Sequence, residues 1–244
     1  MLHSALMRFS QNLSVLACDY DGTLANHGKI EPAVARILRK LRETGRKVVL
    51  VTGRHLDDLR CVCPDLSLFD MVIAENGGVI FSPVDHSLRA LGPPPDQLLI
   101  QVLKDRKVAP LEIGKTIIAT VREHLPIVSD AIQELGVNSH IVLNKDAVMV
   151  LPCPVDKAFG LRHALGIFGI APSEVVGIGD AENDEAFLSI CGFPVAVANA
   201  LPSVKRICDH VTVQPDGAGV VELLEEFFRS SDSSLSCSGI KEKE

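Results

Sequence analysis

The chain contains the stretch VLACDYDGTL at residues 15–24, in which apolar residues lead directly into a run of acidic and small residues. Short continuous apolar runs are typical of strands that are buried on both faces of a parallel sheet. Comparable runs, rich in β-branched residues, occur at residues 48–51, 71–74, 175–179 and 194–197. The sequence therefore predicts several buried parallel strands, the first of which leads into the acidic run.

Helical patterns lie between these predicted strands. Residues 31–44 place their apolar side chains on one helical face, with Pro32 near the start and Gly45 just after the end. Residues 156–168 and 183–191 also have helical spacing. Because strands alternate with helices, the fold class that we predict is α/β, with a doubly wound parallel sheet of the Rossmann type.

The middle of the chain has a different pattern. The sequence GPPP at residues 92–95 interrupts regular structure, and a helix, a hairpin, a second helix and a second hairpin are predicted after it. We expect the first strand of this unit at residues 108–113. The predicted division is a discontinuous core domain at 1–83 and 155–229, an inserted α+β domain at 84–154, and a disordered Ser-rich tail at 230–244.

The composition of the chain argues against several classes of binding partner and cellular location. The 244 residues carry a net charge of −7, which argues against a surface that binds nucleic acid or an anionic membrane. No apolar run approaches the roughly 18–20 residues of a membrane helix, and residues 1–11 lack the long apolar stretch of a secretory signal. The seven scattered cysteines favour reduced thiols. We therefore expect a cytoplasmic protein, and the sequence leaves its oligomeric state open.

Polar side chains follow the predicted strands at the point where each strand ends. Asp19 and Asp21 follow the first strand, Thr52 follows the second, and Asp180 follows a later one. Lys157 opens the helix that precedes this later strand. Since ligands of open α/β sheets bind beyond the carboxyl ends of the strands, we expect these side chains to meet at one edge.

The chemistry of this group favours a metal and a phosphate. Carboxylates held close together repel one another, and a hard cation such as Mg²⁺ relieves that repulsion. Lys157 and Thr52 are suited to hold a phosphate that faces the metal. Asp19, at the end of a buried strand, could attack phosphorus, and Asp21 could exchange protons with the leaving alcohol and with water.

These residues resemble the motifs of the haloacid dehalogenase-like phosphatases. The sequence DYDGTL at residues 19–24 is similar to the first motif, VTGR at 51–54 to the second, Lys157 to the third, and GDAEND at 179–184 to the fourth. The resemblance covers about residues 13–228.

The inserted unit further resembles the mobile cap, termed type II, of the Cof-like branch of this family. The sequence ENGG at residues 75–78 is also similar to that branch, and the short insert is closest in outline to its small phosphoglycolate and sugar-phosphate phosphatases.

The resemblance implies a role for each motif residue. Asp19 would be the nucleophile and Asp21 the general acid and base. The implied Mg²⁺ ligands are the Asp19 side chain, the Asp21 carbonyl and Asp180, with Asp184 acting directly or through water. The implied phosphate-binding residues are Thr52, Gly53, Lys157 and Asn183. The candidates for substrate specificity are Arg54, Lys115, Arg122, His124 and Lys145.

The predicted function is Mg²⁺-dependent hydrolysis of a small phosphorylated metabolite, of the phosphoglycolate or sugar-phosphate class, through an aspartyl phosphate. A phosphomutase of the same superfamily, similar to phosphomannomutases, would instead pass the phosphoryl group to a second hydroxyl. The sequence also leaves open a phospho-accepting regulatory module and a binding protein that keeps the fold without catalysis. It does not identify the metabolite.

Overall fold

The structure, a computed structural model, describes residues 13–237 and the side chains of residues 13–230. The strands are β1 (Val15–Cys18), β2 (Ala25–Asn26), β3 (Lys29–Ile30), β4 (Lys47–Val51), β5 (Met71–Ala74), β6 (Val79–Phe81), β7 (Leu88–Ala90), β8 (Glu112–Ile113), β9 (Ile118–Val121), β10 (Ser139–Asn144), β11 (Ala147–Pro152), β12 (Val175–Gly179), β13 (Phe193–Ala196) and β14 (His210–Val211). The α-helices are α1 (Pro32–Glu43), α2 (Leu56–Val62), α3 (Gln97–Asp105), α4 (Leu125–Leu135), α5 (Lys157–Phe168), α6 (Glu185–Leu188), α7 (Pro202–Ile207) and α8 (Asp216–Cys237). None of these helices is long and apolar enough to cross a membrane.

The large sheet of the described chain has eight strands in the order β14, β13, β12, β1, β4, β5, β6, β7. The strands from β14 to β5 pair in parallel. Strand β6 pairs antiparallel with β5, and β7 pairs antiparallel with β6. The chain order therefore runs in opposite directions on the two sides of β1, and ligands of such sheets bind at this point. The predicted doubly wound α/β fold is confirmed.

The central strand β1 determines which polar residues become neighbours. Its four residues are buried, and it pairs in parallel with β12 on one side and β4 on the other. The last residue of β1 lies opposite Ile178 and Leu50. The residues that follow these three strands, which include Asp19, Asp180 and Thr52, therefore emerge at the same edge of the sheet.

A second sheet of four antiparallel strands, in the order β10, β11, β9, β8, packs with α3 and α4 to form what we call the small-sheet unit. Its core contains Leu103, Val128 and Val148. The strand predicted over residues 108–113 is too long, because only Glu112–Ile113 pairs with β9. The side chain of Val108 is buried in the core of the unit instead, and Pro110 has no amide hydrogen for a sheet.

The predicted division at residues 84, 155 and 230 stays a prediction. Strand β7, which lies beyond residue 84, pairs with β6 in the large sheet. Helix α8 continues to Cys237, and residues 238–244 lie outside the described part of the chain.

Helix α5 lies unusually close to the end of β5. A Cβ atom added at Gly160 would lie 2.5 Å from Ile73 Cγ2 and 2.8 Å from Gly77 Cα. The absence of a side chain at Gly160 therefore permits this approach, which places the first residue of α5, Lys157, at the edge of the sheet where Asp19 emerges.

We expect Gly160→Ala to lower the free energy of unfolding by about 1–3 kcal/mol, because an added methyl group would push α5 away from β5. Gly166→Ala is the control in the same helix, since no atom lies within 4 Å of its added Cβ. It should raise stability by about 0.5–1 kcal/mol through helix propensity. Urea unfolding measures both changes, and equal shifts in the two variants would contradict the close approach.

Candidate active site

A buried lysine joins two carboxylates at the edge of the sheet. Lys157 Nζ lies 2.5 Å from Asp19 Oδ1 and 2.6 Å from Asp184 Oδ1. The side chains of Lys157 and Asp184 are fully buried, and that of Asp19 is 8% exposed. Burial alone would lower the pKa of Lys157, but attraction to Asp184 and Asp19 raises it above its usual value. The ammonium therefore stays charged inside the protein.

Three carboxylates of this site are close enough to share a cation. One oxygen each of Asp19, Asp180 and Asp184 lies within 4.8 Å of the others. Burial raises the pKa of Asp19 well above its usual value, with a further contribution from Asp184, whereas Lys157 opposes the rise. Burial also raises the pKa of Asp180, although Lys145 opposes it. Oxygen ligands with excess negative charge fit a hard divalent cation, which would keep these groups ionised.

Asp184 has a structural part in the group. Its Oδ1 accepts from Lys157, and its Oδ2 accepts from the backbone N–H groups of Asp180 and Ala181, each at 2.9 Å. Asp184 therefore fixes the turn that carries Asp180 as well as the lysine.

Asp21 lies at the solvent side of the site, and its side chain is 40% exposed. Arg54 contacts it through two hydrogen bonds, from Nε to Oδ2 at 2.6 Å and from Nη2 to Oδ1 at 2.9 Å. Arg54 also pairs with Asp58 in helix α2. The guanidinium of Arg54, which was predicted to contribute to substrate specificity, is thus directed at the Asp21 carboxylate. The position of Arg54 in the sequence did not predict this partner.

The loop after β4 forms another wall of the site. Thr52 is buried, and its Oγ1 accepts the N–H of Arg54 at 3.1 Å. A Cβ atom at Gly53 would lie 3.7 Å from Asn183 Nδ2 and 3.4 Å from Met149 Sδ of β11. The predicted phosphate-binding residues Thr52, Gly53 and Asn183 therefore lie together, with a residue of the small-sheet unit beside them.

The small-sheet unit reaches the carboxylates through the turn between β10 and β11. Lys145 Nζ lies 2.9 Å from Asp180 Oδ2, and the Lys145 N–H lies 3.2 Å from Glu182 Oε2. Arg122 supports this turn by donating from Nη1 to the Lys145 carbonyl at 2.7 Å. His124 instead contacts the carbonyl of Ala109 at 2.9 Å, within the small-sheet unit.

Residues 16–91 and 100–224 match the family described as haloacid dehalogenase-like hydrolase. The chain belongs to the haloacid dehalogenase-like hydrolases. The resemblance that the motifs indicated is therefore confirmed, and it extends through both sheets.

Curated relatives align over about nine-tenths of the chain. Phosphoglycolate phosphatase 2 of Saccharolobus solfataricus is 30% identical over 229 residues, which cover 91% of this chain and 95% of the relative. Phosphoglycolate phosphatase of Methanopyrus kandleri is 33% identical over 233 residues, which cover 90% of this chain and 99% of the relative.

Solved structures of the family share the fold. A haloacid dehalogenase-like hydrolase from Bacteroides thetaiotaomicron has a TM-score of 0.77 at 21% identity, covering 88% of this chain and 100% of the other. A subclass IIB sugar phosphatase has a TM-score of 0.74 at 20% identity, covering 88% of this chain and 99% of the other. Both sheets of the hydrolase therefore belong to a known arrangement.

Sequence reasoning missed Glu75, which joins the large sheet to the small-sheet unit. Its carboxylate accepts from the N–H groups of Lys115 and Thr116, at 3.1 and 2.8 Å, and from Thr116 Oγ1 at 3.1 Å. Lys115, a predicted specificity residue, is exposed and makes this contact through its backbone. The only signal for Glu75 in the sequence was its place in the ENGG stretch.

His55 adds a titratable group to this junction. Its Nδ1 lies 3.6 Å from Glu75 Oε1, and its Nε2 lies 3.7 Å from Glu112 Oε2. Interaction with Glu75 raises the pKa of His55, although burial opposes the rise. Burial tends to raise the pKa of Glu75, but His55 and the backbone donors outweigh it and lower this pKa.

The raised pKa of His55 predicts a pH-dependent contribution to stability. The contribution is complete below the ordinary histidine value of about 6.5 and is lost as pH rises through the higher value of the folded protein. His55→Gln should therefore cost more stability at about pH 6 than at about pH 8.5. Urea unfolding at both values measures this difference.

A Glu75→Gln background provides the control, because it removes the carboxylate that attracts the imidazolium. In that background the pH-dependent part of the His55→Gln effect should shrink. An effect of His55→Gln that is equal at both pH values in the otherwise unchanged protein would contradict the ion pair.

Proposed function

We propose that this hydrolase is a Mg²⁺-dependent phosphatase of a small phosphorylated metabolite, of the phosphoglycolate or sugar-phosphate class, acting through an aspartyl phosphate. The observation that carries the proposal is the contact of Asp19, at the end of β1, with the buried ammonium of Lys157 inside a cluster of carboxylates. The two relatives described above, both named phosphoglycolate phosphatase, support the choice of substrate class. We place the enzyme in the cytoplasm.

The cluster of Asp19, Asp180 and Asp184 carboxylates supports a Mg²⁺ site. The Asp19 and Asp180 side chains and the Asp21 carbonyl would hold the ion, with support from Asp184. When bound, the ion supplies positive charge that keeps the carboxylates ionised and offsets the charge of the phosphoryl group.

The chain's own residues account for the two chemical steps. An Asp19 carboxylate oxygen attacks phosphorus, the bond from phosphorus to the ester oxygen breaks, and Asp21 donates a proton to the departing alkoxide. Water then attacks the phosphorus of the aspartyl phosphate, Asp21 accepts its proton, and Asp19 is released as a carboxylate with inorganic phosphate as the product.

Lys157 is suited to bind the phosphoryl group during both steps. An ammonium has three N–H donors, and contacts with Asp19 and Asp184 occupy two of them. We propose that the third donates to a phosphoryl oxygen. We propose that Thr52, Gly53 and Asn183 bind the same group, since Thr52 and Gly53 follow β4, a neighbour of β1, and Asn183 lies beside Gly53.

The contact with Arg54 sets a requirement for the first step. A guanidinium paired through two hydrogen bonds holds a carboxylate and not a carboxylic acid. Asp21 must therefore turn away from Arg54 when it carries the proton for the leaving group, and can return to it once that proton has been transferred.

We propose that the small-sheet unit is a cap that selects the substrate through Lys145. The ammonium of this residue is beside Asp180, so a negatively charged leaving group would meet a positive charge there. A carboxylate close to the phosphate ester, as in phosphoglycolate, satisfies this condition.

Asp19→Asn should lower the rate of phosphate release by roughly 10³-fold or more, because the amide is not a nucleophile. The assay measures phosphate released from phosphoglycolate and a panel of sugar phosphates, with Mg²⁺ and with a chelator. Asp130→Asn, an equal change on an exposed face of α4, should retain activity.

Hydrolysis by Asp19→Asn at the rate of the unchanged enzyme would overturn the nucleophile assignment. Full activity with the chelator present would overturn the metal requirement. An isomerised sugar phosphate in place of free phosphate would indicate the phosphomutase.

Lys145→Gln should raise KM for phosphoglycolate by about 10-fold or more at saturating Mg²⁺, because a hydrogen bond to a charged group is lost. Its effect on p-nitrophenyl phosphate, which has no carboxylate, should be much smaller. Lys104→Gln, at an exposed position of α3, is the control. Equal effects of Lys145→Gln on KM for both substrates would show that Lys145 does not bind the carboxylate of phosphoglycolate.

A further inference from the structure

Two buried asparagines meet beside the loop after β4. Asn183 Nδ2 donates to Asn76 Oδ1 at 3.0 Å, and the two residues are 5% and 1% exposed. The remaining polar atoms of the pair, Asn76 Nδ2 and Asn183 Oδ1, have no hydrogen-bond partner among the described residues. A buried donor without a partner costs about 1–3 kcal/mol, and folded proteins seldom retain one without a functional reason.

The backbone holds Asn76 firmly in this position. Glu75 and Asn76 have φ angles of +50° and +54°, in the left-handed region that residues other than glycine rarely adopt. The Asn76 N–H donates to the Thr52 carbonyl and the Glu75 N–H donates to the Arg54 carbonyl, each at 3.0 Å. Conformations of this kind cost about 1–3 kcal/mol each and cluster at functional sites.

The hydrogen-bonded atoms of the pair lie beside Gly53, in the loop that follows β4. A Cβ atom at Gly53 would lie 3.7 Å from Asn183 Nδ2, 3.9 Å from Asn76 Oδ1 and 3.4 Å from Met149 Sδ. The pair therefore borders the loop that carries Thr52 and Gly53, and Met149 of the small-sheet unit also lies beside Gly53. The neighbouring groups on this wall, including the Thr52 hydroxyl, suit an anion that accepts hydrogen bonds.

We infer that Asn76 is a further substrate-binding residue, whose Nδ2 donates to a non-bridging oxygen of the phosphoryl group while its Oδ1 keeps Asn183 oriented. This inference rests on the proposed phosphatase function. It explains why a strained residue with an unpaired donor is kept at the end of β5, because a phosphoryl oxygen is a strong charge-assisted acceptor. Asn76 needs no positive charge to bind the phosphoryl group, since Lys157 already supplies one.

The test uses two variants that suit the left-handed backbone at this position. Asn76→Asp keeps the size and the acceptor for Asn183, but it replaces the free donor by a negatively charged oxygen. Asn76→Gly removes the side chain and tolerates a positive φ. Isothermal titration of the whole enzyme with inorganic phosphate in Mg²⁺ measures the dissociation constant, and p-nitrophenyl phosphate gives KM and kcat.

We expect Asn76→Asp to weaken phosphate binding by about 10-fold or more, and Asn76→Gly to weaken it less, because it adds no repulsion. The affinity for Mg²⁺ without phosphate should not fall in either variant, because an added negative charge attracts the cation, whereas general damage to the site would lower it. Asn138→Asp, which adds the same charge at an exposed position, is the control and should bind phosphate normally.

Phosphate binding by Asn76→Asp at the affinity of the unchanged enzyme would overturn the inference. If Asn76→Asp does not fold, Asn76→Gly decides the question, and unchanged phosphate binding by that variant would overturn it equally. Weakened Mg²⁺ binding in step with weakened phosphate binding would also overturn it. Failure of the unchanged enzyme to hydrolyse any phosphomonoester would count against the proposed function itself. The phosphate affinities of the Asn76 variants are measured by titration, so they test the inference separately from hydrolysis.

Discussion

The ammonium of Lys157 is enclosed by protein and paired with two carboxylates, and this arrangement constrains much of the fold. Burying a charge costs several kcal/mol unless a partner with good geometry compensates it. The partners, Asp19 and Asp184, follow different strands of the large sheet, and the lysine begins helix α5. The register of β1 with β12 and the close approach of α5 to β5 are therefore both needed to bring the charges together.

The sequence was sufficient for the α/β fold and for the edge where the polar residues lie, because buried parallel strands have distinctive apolar runs and their carboxyl ends share one edge. It was not sufficient for contacts that depend on tertiary packing. The pairing of Arg54 with Asp21 and the hydrogen bonds that Thr116 donates to Glu75 join segments that no local pattern relates. Tertiary packing also explains why the strand near Pro110 is shorter than predicted, because the side chain of Val108 is buried in the core of the small-sheet unit.

Two of the charged contacts between the small-sheet unit and the large sheet differ in character. Glu75 receives three hydrogen bonds and is buried, so it fixes the segment at Lys115 and Thr116. Lys145 is about half exposed and lies against a carboxylate of the buried cluster. Because the Glu75 contacts do not involve Lys145, they would still join the two sheets if the contact between Lys145 and Asp180 were broken.

The proposed mechanism depends on Asp19 carrying the phosphoryl group for part of each turnover. Acid quenching of the enzyme during turnover of phosphoglycolate in Mg²⁺, followed by mass spectrometry of its peptides, tests this directly. The mechanism predicts phosphate on the peptide that contains Asp19, at that residue. Phosphate on a different side chain, or product formation with no phosphorylated peptide at any quench time, would contradict it.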